Sequence, residues 1–393
     1  MSLDRNETAT VERLRPADAR TCADILRRAG EARQTVRVRG GGTKEYLGDP
    51  RPTDLVLETT SLGGIVEHVP ADLTVTVGAG TRFRELEDAL ARAGQMLALD
   101  PPHADAATIG GIVAANSSGF RRARYGGVRD LLIGTRCALV DGTVASAGGR
   151  VVKNVAGYDV NKLLIGSLGT LAVITECTFK VTPLPVATAG LRARFRRAAD
   201  AYAAADLVAR TPARPAALAI DGRARDAWEL VVLAEGEPAA VDRAIAIAAD
   251  AASARGRAER GDVTAALTAL RELPASADGV LVRASLPPAA QTAFAEAAMR
   301  LEGFARLVSD AASGIVRVQV RGDDDVLVAA ADSLLADARV CGGSARVERR
   351  PDRLRARVEA WGDGDVPGLF LMRRLKDAFD PNGILEPGRS VVA

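Results

Sequence analysis

Clustered cysteines and long apolar runs are both missing from this chain of 393 residues. No cysteine lies within four residues of another; the four are Cys22, Cys137, Cys177 and Cys341. This spacing excludes zinc ribbons and iron–sulfur runs, so we predict free thiols in a reducing compartment. Residues 1–10 carry acidic side chains and no apolar core, so we do not expect a secretory signal there.

The chain also lacks a membrane-spanning stretch and a strong charge. No apolar run approaches the ~20 residues that cross a bilayer. We therefore expect a cytoplasmic protein with no transmembrane segment, and docking at the inner face of the cell membrane through a complex stays open. The formal net charge is only +2, with no basic block, so nucleic acid is not an expected partner.

What is present suits a globular chain of two domains. Hydrophobic residues make up 48% of the chain, which is enough to bury a sizeable core. Pro183 and Pro185 would each interrupt a central strand, so we predict a domain boundary there. We expect a Gly-rich first domain over 1–185, a middle domain over 186–365 and a helix with a Pro/Gly-rich tail over 366–393.

Apolar spacing and turn signals predict mixed helix and strand, which is an α+β class. In the first domain we predict helices at Ala17–Ala29 and Phe83–Ala93, and strands at Thr35–Arg39, Leu55–Glu58, Leu73–Val77, Leu132–Val140, Thr143–Ala145 and Leu171–Val181. In the middle domain we predict helices at Pro238–Arg255 and Pro288–Leu301, and strands at Gly190–Phe195, Ala216–Ile220, Glu229–Ala234, Gly279–Ala284, Gly314–Gln319 and Ala345–Arg349. This alternation indicates one sheet with helices on one face.

Two short glycine elements follow predicted strands. Arg39-Gly40-Gly41-Gly42-Thr43 could converge backbone N–H groups on a phosphate, or it could be a plain flexible turn. Gly78-Ala79-Gly80 looks like the start of a dinucleotide fingerprint. It fails because Phe83 stands where a small residue is needed, so we interpret it as a strand-to-helix turn.

A longer element runs from Pro101 to Gly119 and contains Thr108-Ile109-Gly110-Gly111. It predicts a loop followed by a short helix of small residues, which suits a bound anion or, alternatively, tight packing on a sheet. A fourth segment over 152–176 carries Lys153-Asn154, Gly157-Tyr158-Asp159 and Gly169-Thr170 before a strand.

The order of these motifs resembles a known family. G-G-G-T, A-T-I-G-G-x-V-A-x-N-x-x-G, R-Y-G, K-N-x-x-G-Y-D and G-S-x-G-T-L-x-V-I-T-E are similar to the PCMH-type FAD-binding domains of the vanillyl-alcohol-oxidase superfamily. The branch that it most resembles is that of D-lactate dehydrogenase and glycolate oxidase. The ending F-D-P-N-G-I-L-E-P-G-R matches this branch except for Glu386, where Asn is usual. The resemblance covers about half the chain.

The resemblance implies an FAD-binding domain of two α/β subdomains, followed by an α+β domain of sheet and helices. It implies that the loops at Gly40 and Gly110 cradle the FAD pyrophosphate, that the backbone of Ile174 lies by the adenine or ribose, and that Arg124, Tyr125 and Gly126 lie near the flavin. The cofactor residues that it assigns are Arg39, Gly40, Gly41, Gly42, Thr43, Pro101, Pro102, Thr108, Ile109, Gly110, Gly111, Ala115, Asn116, Gly119, Arg124, Tyr125, Gly126, Gly169 and Ile174. Thr43 and Ala106 stand where relatives with covalent flavin carry His or Cys, so non-covalent FAD is expected.

Histidine is the residue whose scarcity bears on function. Only His68 and His103 are present, and catalytic members of this branch carry histidines in the C-terminal half as base and metal ligands. The chain therefore resembles the FAD-binding (E) companion subunit of glycolate oxidase. Its implied partners are a catalytic FAD subunit and an iron–sulfur subunit, and no metal site is expected in this chain. The middle domain would then be free to act as a docking surface.

Two alternatives remain at this point. The chain could be a self-sufficient FAD-linked 2-hydroxy acid dehydrogenase, such as a D-lactate dehydrogenase, with Lys153 or Tyr158 as the base. It could also be a non-catalytic scaffold whose flavin pocket is vestigial.

Overall fold

The computed structural model describes residues 11–149, 159–362, 366 and 368–392. The first half of the chain forms short strands and helices. Its strands are β1 (Glu12–Leu14), β2 (Val36–Arg39), β3 (Leu55–Glu58), β4 (Ile65–Val69), β5 (Thr74–Gly78), β6 (Gln95–Met96), β7 (Leu132–Ala138), β8 (Val144–Gly148), β9 (Val173–Lys180) and β10 (Thr182–Pro183). Its helices are α1 (Ala19–Ala32), α2 (Phe83–Ala91), α3 (Ile109–Ala115), α4 (Arg122–Tyr125), α5 (Val128–Leu131) and α6 (Asn161–Leu164), with 3-10 turns at Thr59–Ser61 and Pro70–Asp72.

These strands form two main sheets. One is a parallel sheet in the order β1-β3-β2, and the other is antiparallel in the order β4-β5-β9-β7-β8. Helix α1 begins at Asp18, whose carboxylate accepts a hydrogen bond from the Thr21 N–H at 2.7 Å. Its apolar face, with Cys22 and Leu26, packs on Val36 and Leu57 and so joins α1 to the parallel sheet.

The second half forms a larger sheet with helices. Its strands are β11 (Ala187–Phe195), β12 (Ala217–Ala224), β13 (Ala227–Gly236), β14 (Arg257–Gly261), β15 (Val280–Ser285), β16 (Phe304–Asp310), β17 (Ile315–Val320) and β18 (Ser344–Arg349). Its helices are α7 (Ala198–Arg210), α8 (Pro238–Ser253), α9 (Thr264–Arg271), α10 (Leu273–Ser276), α11 (Gln291–Ala298), α12 (Asp324–Val340) and α13 (Leu369–Phe379), with 3-10 turns at Pro288–Ala290 and Asp352–Leu354.

The eight strands of the second half form one antiparallel sheet in the order β14-β11-β13-β12-β16-β17-β15-β18. Apolar residues of α7, α8, α11 and α12 cover one face and form the largest core of the molecule. On the other face Val231, Leu281 and Val308 pack with Phe120 from the first half and with Leu270 and Leu273 from α9 and α10. This second face is therefore turned toward the first half of the chain.

The tail returns to the first half. Leu385 forms a parallel bridge with Val36, and Ile384 and Leu385 are buried in the core around α1. Lys376 of α13 is buried, and its Nζ donates to Asp380 at 2.6 Å and to the carbonyl oxygens of Thr170 and Leu385 at 2.9 and 3.0 Å. These contacts fix the last residues of the tail against β2.

The predicted mixture of helix and strand is confirmed, and most predicted elements agree with the structure to within a few residues. Strands β1, β4, β6, β10, β14 and β16 were not predicted, because each is very short or carries charged or mixed residues that hide the alternation. The four cysteines are free, as predicted. Among the described residues no helix is long and apolar enough to cross a membrane.

Candidate cofactor site

Strand β2 leads into the glycine loop at 40–43, which lies directly against the loop before α3. A Cβ built on Gly40 would lie 2.2 Å from Thr108 Oγ1, and one on Gly41 would lie 1.8 Å from the carbonyl oxygen of Ala106. Gly42 has a φ of +71°, a conformation that favours glycine. The two loops can approach this closely only because the glycines carry no side chain.

The glycine loop leaves backbone donors free. Within the part of the chain that the structure describes, the N–H groups of Gly40, Gly41, Gly42 and Thr43 have no hydrogen-bond acceptor. Unpaired N–H groups in successive residues form a concave site for an anion such as a phosphate.

The two glycines of α3 differ in their surroundings. A Cβ on Gly110 would lie 2.9 Å from the Ala79 Cβ, so this glycine lets α3 pack on the turn after β5. A Cβ on Gly111 would meet only Thr108 Oγ1, at 3.1 Å, and would otherwise point into open space. The turn at Gly78-Ala79-Gly80 is thus a packing partner of α3.

These loops enclose a cavity of about 760 Å³ that is partly open to solvent. Eleven of the predicted cofactor residues line it: Arg39, Gly40, Gly41, Gly42, Thr43, Thr108, Gly110, Gly111, Ala115, Gly169 and Ile174. The residues that line it and were not predicted are Arg37, Val38, Lys44, Glu45, Thr59, Ala114, Leu168, Ala172, Glu386 and Arg389. We call this space the first cavity.

Several polar atoms at the first cavity are buried without a protein partner. They are Arg37 Nε, Thr108 Oγ1, Glu386 Oε2, and Arg389 Nε and Nη1. Buried polar groups in proteins are almost always satisfied, so such a concentration indicates a polar ligand. A dinucleotide with phosphates, ribose hydroxyls and an adenine suits both these side chains and the free N–H groups of the glycine loop.

Glu386, which departs from the usual Asn of the tail motif, lines the first cavity. Its Oε1 accepts a hydrogen bond from the Val38 N–H at 2.8 Å, while its Oε2 stays without a partner. Burial raises the pKa of this carboxyl, and Arg389, 4.0 Å away, opposes the shift. The residue that looked like a mild departure in the motif thus supplies an acceptor to the cavity.

The remaining predicted cofactor residues lie elsewhere. Pro102 and Asn116 line a second cavity next to the first, and Ala115 lines both. Pro101 and Ile109 are buried, and a Cβ on Gly119 would meet the Asp100 carbonyl at 2.2 Å. Arg124, Tyr125 and Gly126 do not line either cavity.

The Arg-Tyr-Gly segment instead joins the two halves of the molecule through Glu235 of β13. The Glu235 carboxylate accepts from Tyr125 Oη at 3.0 Å and from Arg121 Nη2 at 2.7 Å, and its backbone carbonyl accepts from Arg124. Only 1% of the Glu235 side chain is exposed. We call these residues the Glu235 latch.

The second cavity lies where the eight-stranded sheet faces the first half of the chain, and its volume, part of which is open to solvent, is about 570 Å³. The first half contributes Lys44, Tyr46, Leu47, Pro102, Ala115, Asn116, Ser117, Ser118 and Arg122. The second half contributes Pro274, Arg283, Ile315, Arg317, Arg346 and Glu348. Lys44 lines both cavities, so the two spaces meet at its side chain.

Three arginines of the second cavity share one carboxylate. Glu348 Oε2 lies 2.7 Å from Arg317 Nε, and its Oε1 lies 3.2 Å from Arg346 Nη2 and 3.7 Å from Arg283 Nε. Burial alone would raise the pKa of Glu348, but the guanidinium groups of Arg317, Arg346 and Arg283 lower it to about 2. Burial and the neighbouring Arg346 lower the pKa of Arg283 to about 9.

Lys44 follows the glycine loop and carries no ion pair among the described residues; its Nζ lies 3.4 Å from the Pro102 carbonyl oxygen. Burial lowers the pKa of Lys44 to about 8, and Arg317 adds to this while Glu272 and Glu348 oppose it. Neither histidine lines the first or the second cavity. His68 Nε2 pairs with Gln95 Oε1 at 2.8 Å, and His103 Nδ1 lies 3.8 Å from Glu272.

Comparison with known proteins identifies the class of this fold and site. Residues 13–148 match the family model described as an FAD binding domain. This part of the chain is thus an FAD-binding domain of the PCMH type, and FAD is the cofactor of the chain.

The curated relatives that the chain resembles include glycolate oxidase subunits. The chain is 44% identical over 156 residues to glycolate oxidase subunit GlcE of Escherichia coli. The aligned segment covers 39% of this chain and 44% of that protein. The chain is 34% identical over 197 residues to glycolate oxidase subunit GlcD of Bacillus subtilis. That alignment covers 49% of this chain and 42% of that protein. The chain thus spans less than half the length of these curated relatives.

The architecture of the whole chain has a solved counterpart. A crystal structure of p-cresol methylhydroxylase with substrate bound superposes with a TM-score of 0.75 over 97% of this chain and 88% of that one. The sequences are only 17% identical, so this likeness concerns the fold alone. Among the described residues no group of His, Cys, Asp and Glu could hold a metal ion.

Proposed function

We propose that this chain is the FAD-binding subunit of a multi-subunit dehydrogenase that oxidises glycolate, or another 2-hydroxy acid, to the 2-oxo acid. One observation carries the proposal: the chain combines a dinucleotide cavity of free N–H groups and unpartnered polar side chains with no histidine in either cavity. The similarity to glycolate oxidase subunits supports the substrate class.

FAD would lie along the first cavity. The N–H groups of Gly40 to Thr43 would bind the pyrophosphate, and Thr108 Oγ1 would donate to it. Glu386 Oε2, which has no hydrogen-bond partner in the protein, would accept a hydrogen bond from an adenine amine or a ribose hydroxyl. Thr43 and Ala106 cannot form a bond to the flavin of the His or Cys type. When bound, the flavin supplies a two-electron acceptor.

The chain itself lacks the usual base for this reaction. Taking a proton from a substrate hydroxyl near neutral pH is work to which histidine is suited. His68 and His103 instead contact Gln95 and Glu272. The base would therefore come from a catalytic flavoprotein subunit, and iron–sulfur centres would belong to a third subunit, since this chain has no clustered cysteines.

Lys44 favours a second candidate, a self-sufficient flavin dehydrogenase. Its amine lies at the junction of the two cavities, and a pKa of about 8 would leave part of it neutral at physiological pH. Lys153 and Tyr158, the bases suggested by the sequence, lie outside the described residues. Lys44 is therefore the residue to replace first if the isolated chain turns over.

The test compares the purified chain with the reconstituted complex. A missing general base typically lowers a rate ~10²–10⁴-fold, so we expect negligible glycolate oxidation by the chain alone with an artificial electron acceptor. Activity should appear on adding the catalytic flavoprotein and iron–sulfur subunits. Equal turnover in both samples would reject the subunit role, and loss of that turnover in Lys44→Met would establish the second candidate.

Flavin content tests the cofactor part independently of activity. Acid precipitation of the purified chain should release all the yellow colour into the supernatant, because no covalent bond is expected. Flavin that stays with the pellet would contradict non-covalent binding. A colourless chain that also fails to take up added FAD would favour the vestigial scaffold.

A further inference from the structure

The side chains that line the second cavity carry an excess of positive charge. Among the described residues five cationic side chains line it, Lys44, Arg122, Arg283, Arg317 and Arg346, against a single carboxylate, Glu348. Elsewhere in the same sheet the arginines are matched: Arg192 forms a bidentate pair with Glu229, and Arg306 forms one with Asp221. The imbalance is thus local to the cavity.

The donors of this cluster are also incompletely used. Arg346 Nε is buried without a partner, and its guanidinium stacks over the Trp361 ring at 5.5 Å. Lys44 and Arg122 form no ion pair within the described part of the chain. Burying cations without counterions is costly, so an anion in the cavity would relieve both the repulsion and the unmet hydrogen bonds.

The shape of the donors indicates which anion fits. A guanidinium is planar and donates two parallel hydrogen bonds, which match the two oxygens of a carboxylate. The cavity meets the first cavity at Lys44, so its occupant would lie at one end of the bound cofactor.

We propose that the second cavity binds a small carboxylate, of the 2-hydroxy or 2-oxo acid class, through Arg283, Arg346 and Lys44. Arg317 holds Glu348, which keeps the three guanidinium groups together. This inference rests on the proposed function and deepens it, because it gives the chain its own carboxylate site beside its own FAD. The site is built by the face of the eight-stranded sheet that is turned toward the first half of the chain.

Binding is measured on the flavin-loaded chain without turnover. Glycolate and the non-oxidisable dianion oxalate are titrated while the visible flavin spectrum is recorded, and equilibrium dialysis with labelled oxalate gives the stoichiometry. We expect saturable binding of one oxalate per chain and none of the neutral analogue glycolamide. Inorganic phosphate should bind more weakly than oxalate; equal or tighter phosphate binding would overturn the carboxylate assignment.

Arg283→Met is the informative variant, because Arg283 lies 3.7 Å from Glu348 and is not its main partner. Losing one charge-assisted hydrogen bond should weaken oxalate binding by at least about tenfold. Arg192→Met, which removes an arginine of the same sheet outside the cavity, is the matched control and should leave binding unchanged. Should Arg283→Met fail to fold, Lys44→Met takes its place, because Lys44 is also one of the three proposed carboxylate ligands.

Three results would overturn the inference: no oxalate binding by the flavin-loaded chain, unchanged binding in Arg283→Met, or release of FAD as oxalate binds. The last would mean that the cluster serves the cofactor phosphates. A chain that holds no FAD would reject the proposed function without rejecting the carboxylate site. In that case dialysis of the flavin-free protein and of Arg283→Met still tests whether the second cavity binds oxalate.

Discussion

The two cavities of this molecule are built by different means. The first is made mainly of backbone, from the glycine loop at 40–43 and the start of α3, in residues close together in the first half of the chain. The second is made of side chains from β15, β17 and β18 that meet Lys44 and Arg122 across the two halves. A site built from backbone depends on the local conformations and close approaches that glycine allows. A site built from side chains depends on how the two halves of the molecule are placed relative to each other.

The Glu235 latch offers the strongest test of this difference. Replacing Glu235 with Ala should destabilise the contact between the two halves of the chain. Breaking a buried ion pair costs ~3–5 kcal/mol, and we expect a value near ~3 kcal/mol because Arg121 is partly exposed and keeps some hydration. Oxalate binding at the second cavity should be lost, while FAD remains in the first. Chemical denaturation and flavin content measure the two effects. Loss of FAD together with the carboxylate site would show that the cavities are not independent.

Gly111→Val probes the backbone-built cavity. A side chain here would enter the first cavity and meet little protein, so the chain should stay folded while FAD affinity falls at least about tenfold. Gly80→Val is the control, because its Cβ would lie 2.1 Å from the Thr59 carbonyl oxygen and should lower the melting temperature. Flavin titration and thermal unfolding separate the two outcomes. Full FAD occupancy in folded Gly111→Val would reject the phosphate assignment.

The pH dependence of oxalate binding gives the smallest expected effect. The ammonium form of Lys44 favours a bound anion, so affinity should be highest below pH 8 and fall as the pH rises through the lowered pKa of about 8. Losing this one charge should cost up to about tenfold in affinity. Around Lys44 the charged groups are Glu272, Glu348, Arg317 and His103.

Lys44→Met should remove most of this pH step and bind oxalate more weakly at pH 7. The burial-lowered pKa of Arg283, about 9, limits the useful window to pH 7–8.5. A step that persists unchanged in Lys44→Met would show that another group titrates.

The first cavity was largely predictable from sequence because glycine spacing records backbone geometry. Loop 40–43, Thr108 and Gly111 were all identified as cofactor residues, and all line the first cavity. The family resemblance predicts that the Arg-Tyr-Gly segment lies near the flavin. In the structure the Tyr125 hydroxyl donates a hydrogen bond to the Glu235 carboxylate. Nothing in the sequence around Tyr125 indicates a partner 110 residues away.

The second cavity was not predictable for a related reason. Arg283, Arg317 and Arg346 sit on separate strands, and in the sequence each looks like an ordinary outward-facing residue. Their convergence follows from the strand order β17-β15-β18, which alternation does not reveal. The docking role suggested for the middle domain stays a prediction for the surfaces of that domain outside the cavity.

Because the tail of the chain returns to β2, the first cavity can be completed only late in protein synthesis. Glu386 and Arg389 complete a cavity whose glycine loop is made some 340 residues earlier, because Val38 donates to Glu386 across 348 positions. A growing chain on the ribosome can thus form the glycine loop long before Glu386 and Arg389 are available to complete the cavity. If FAD binds in the first cavity as proposed, its tight retention requires residues that are synthesised late, and flavin content would then report on completed synthesis as well as on folding.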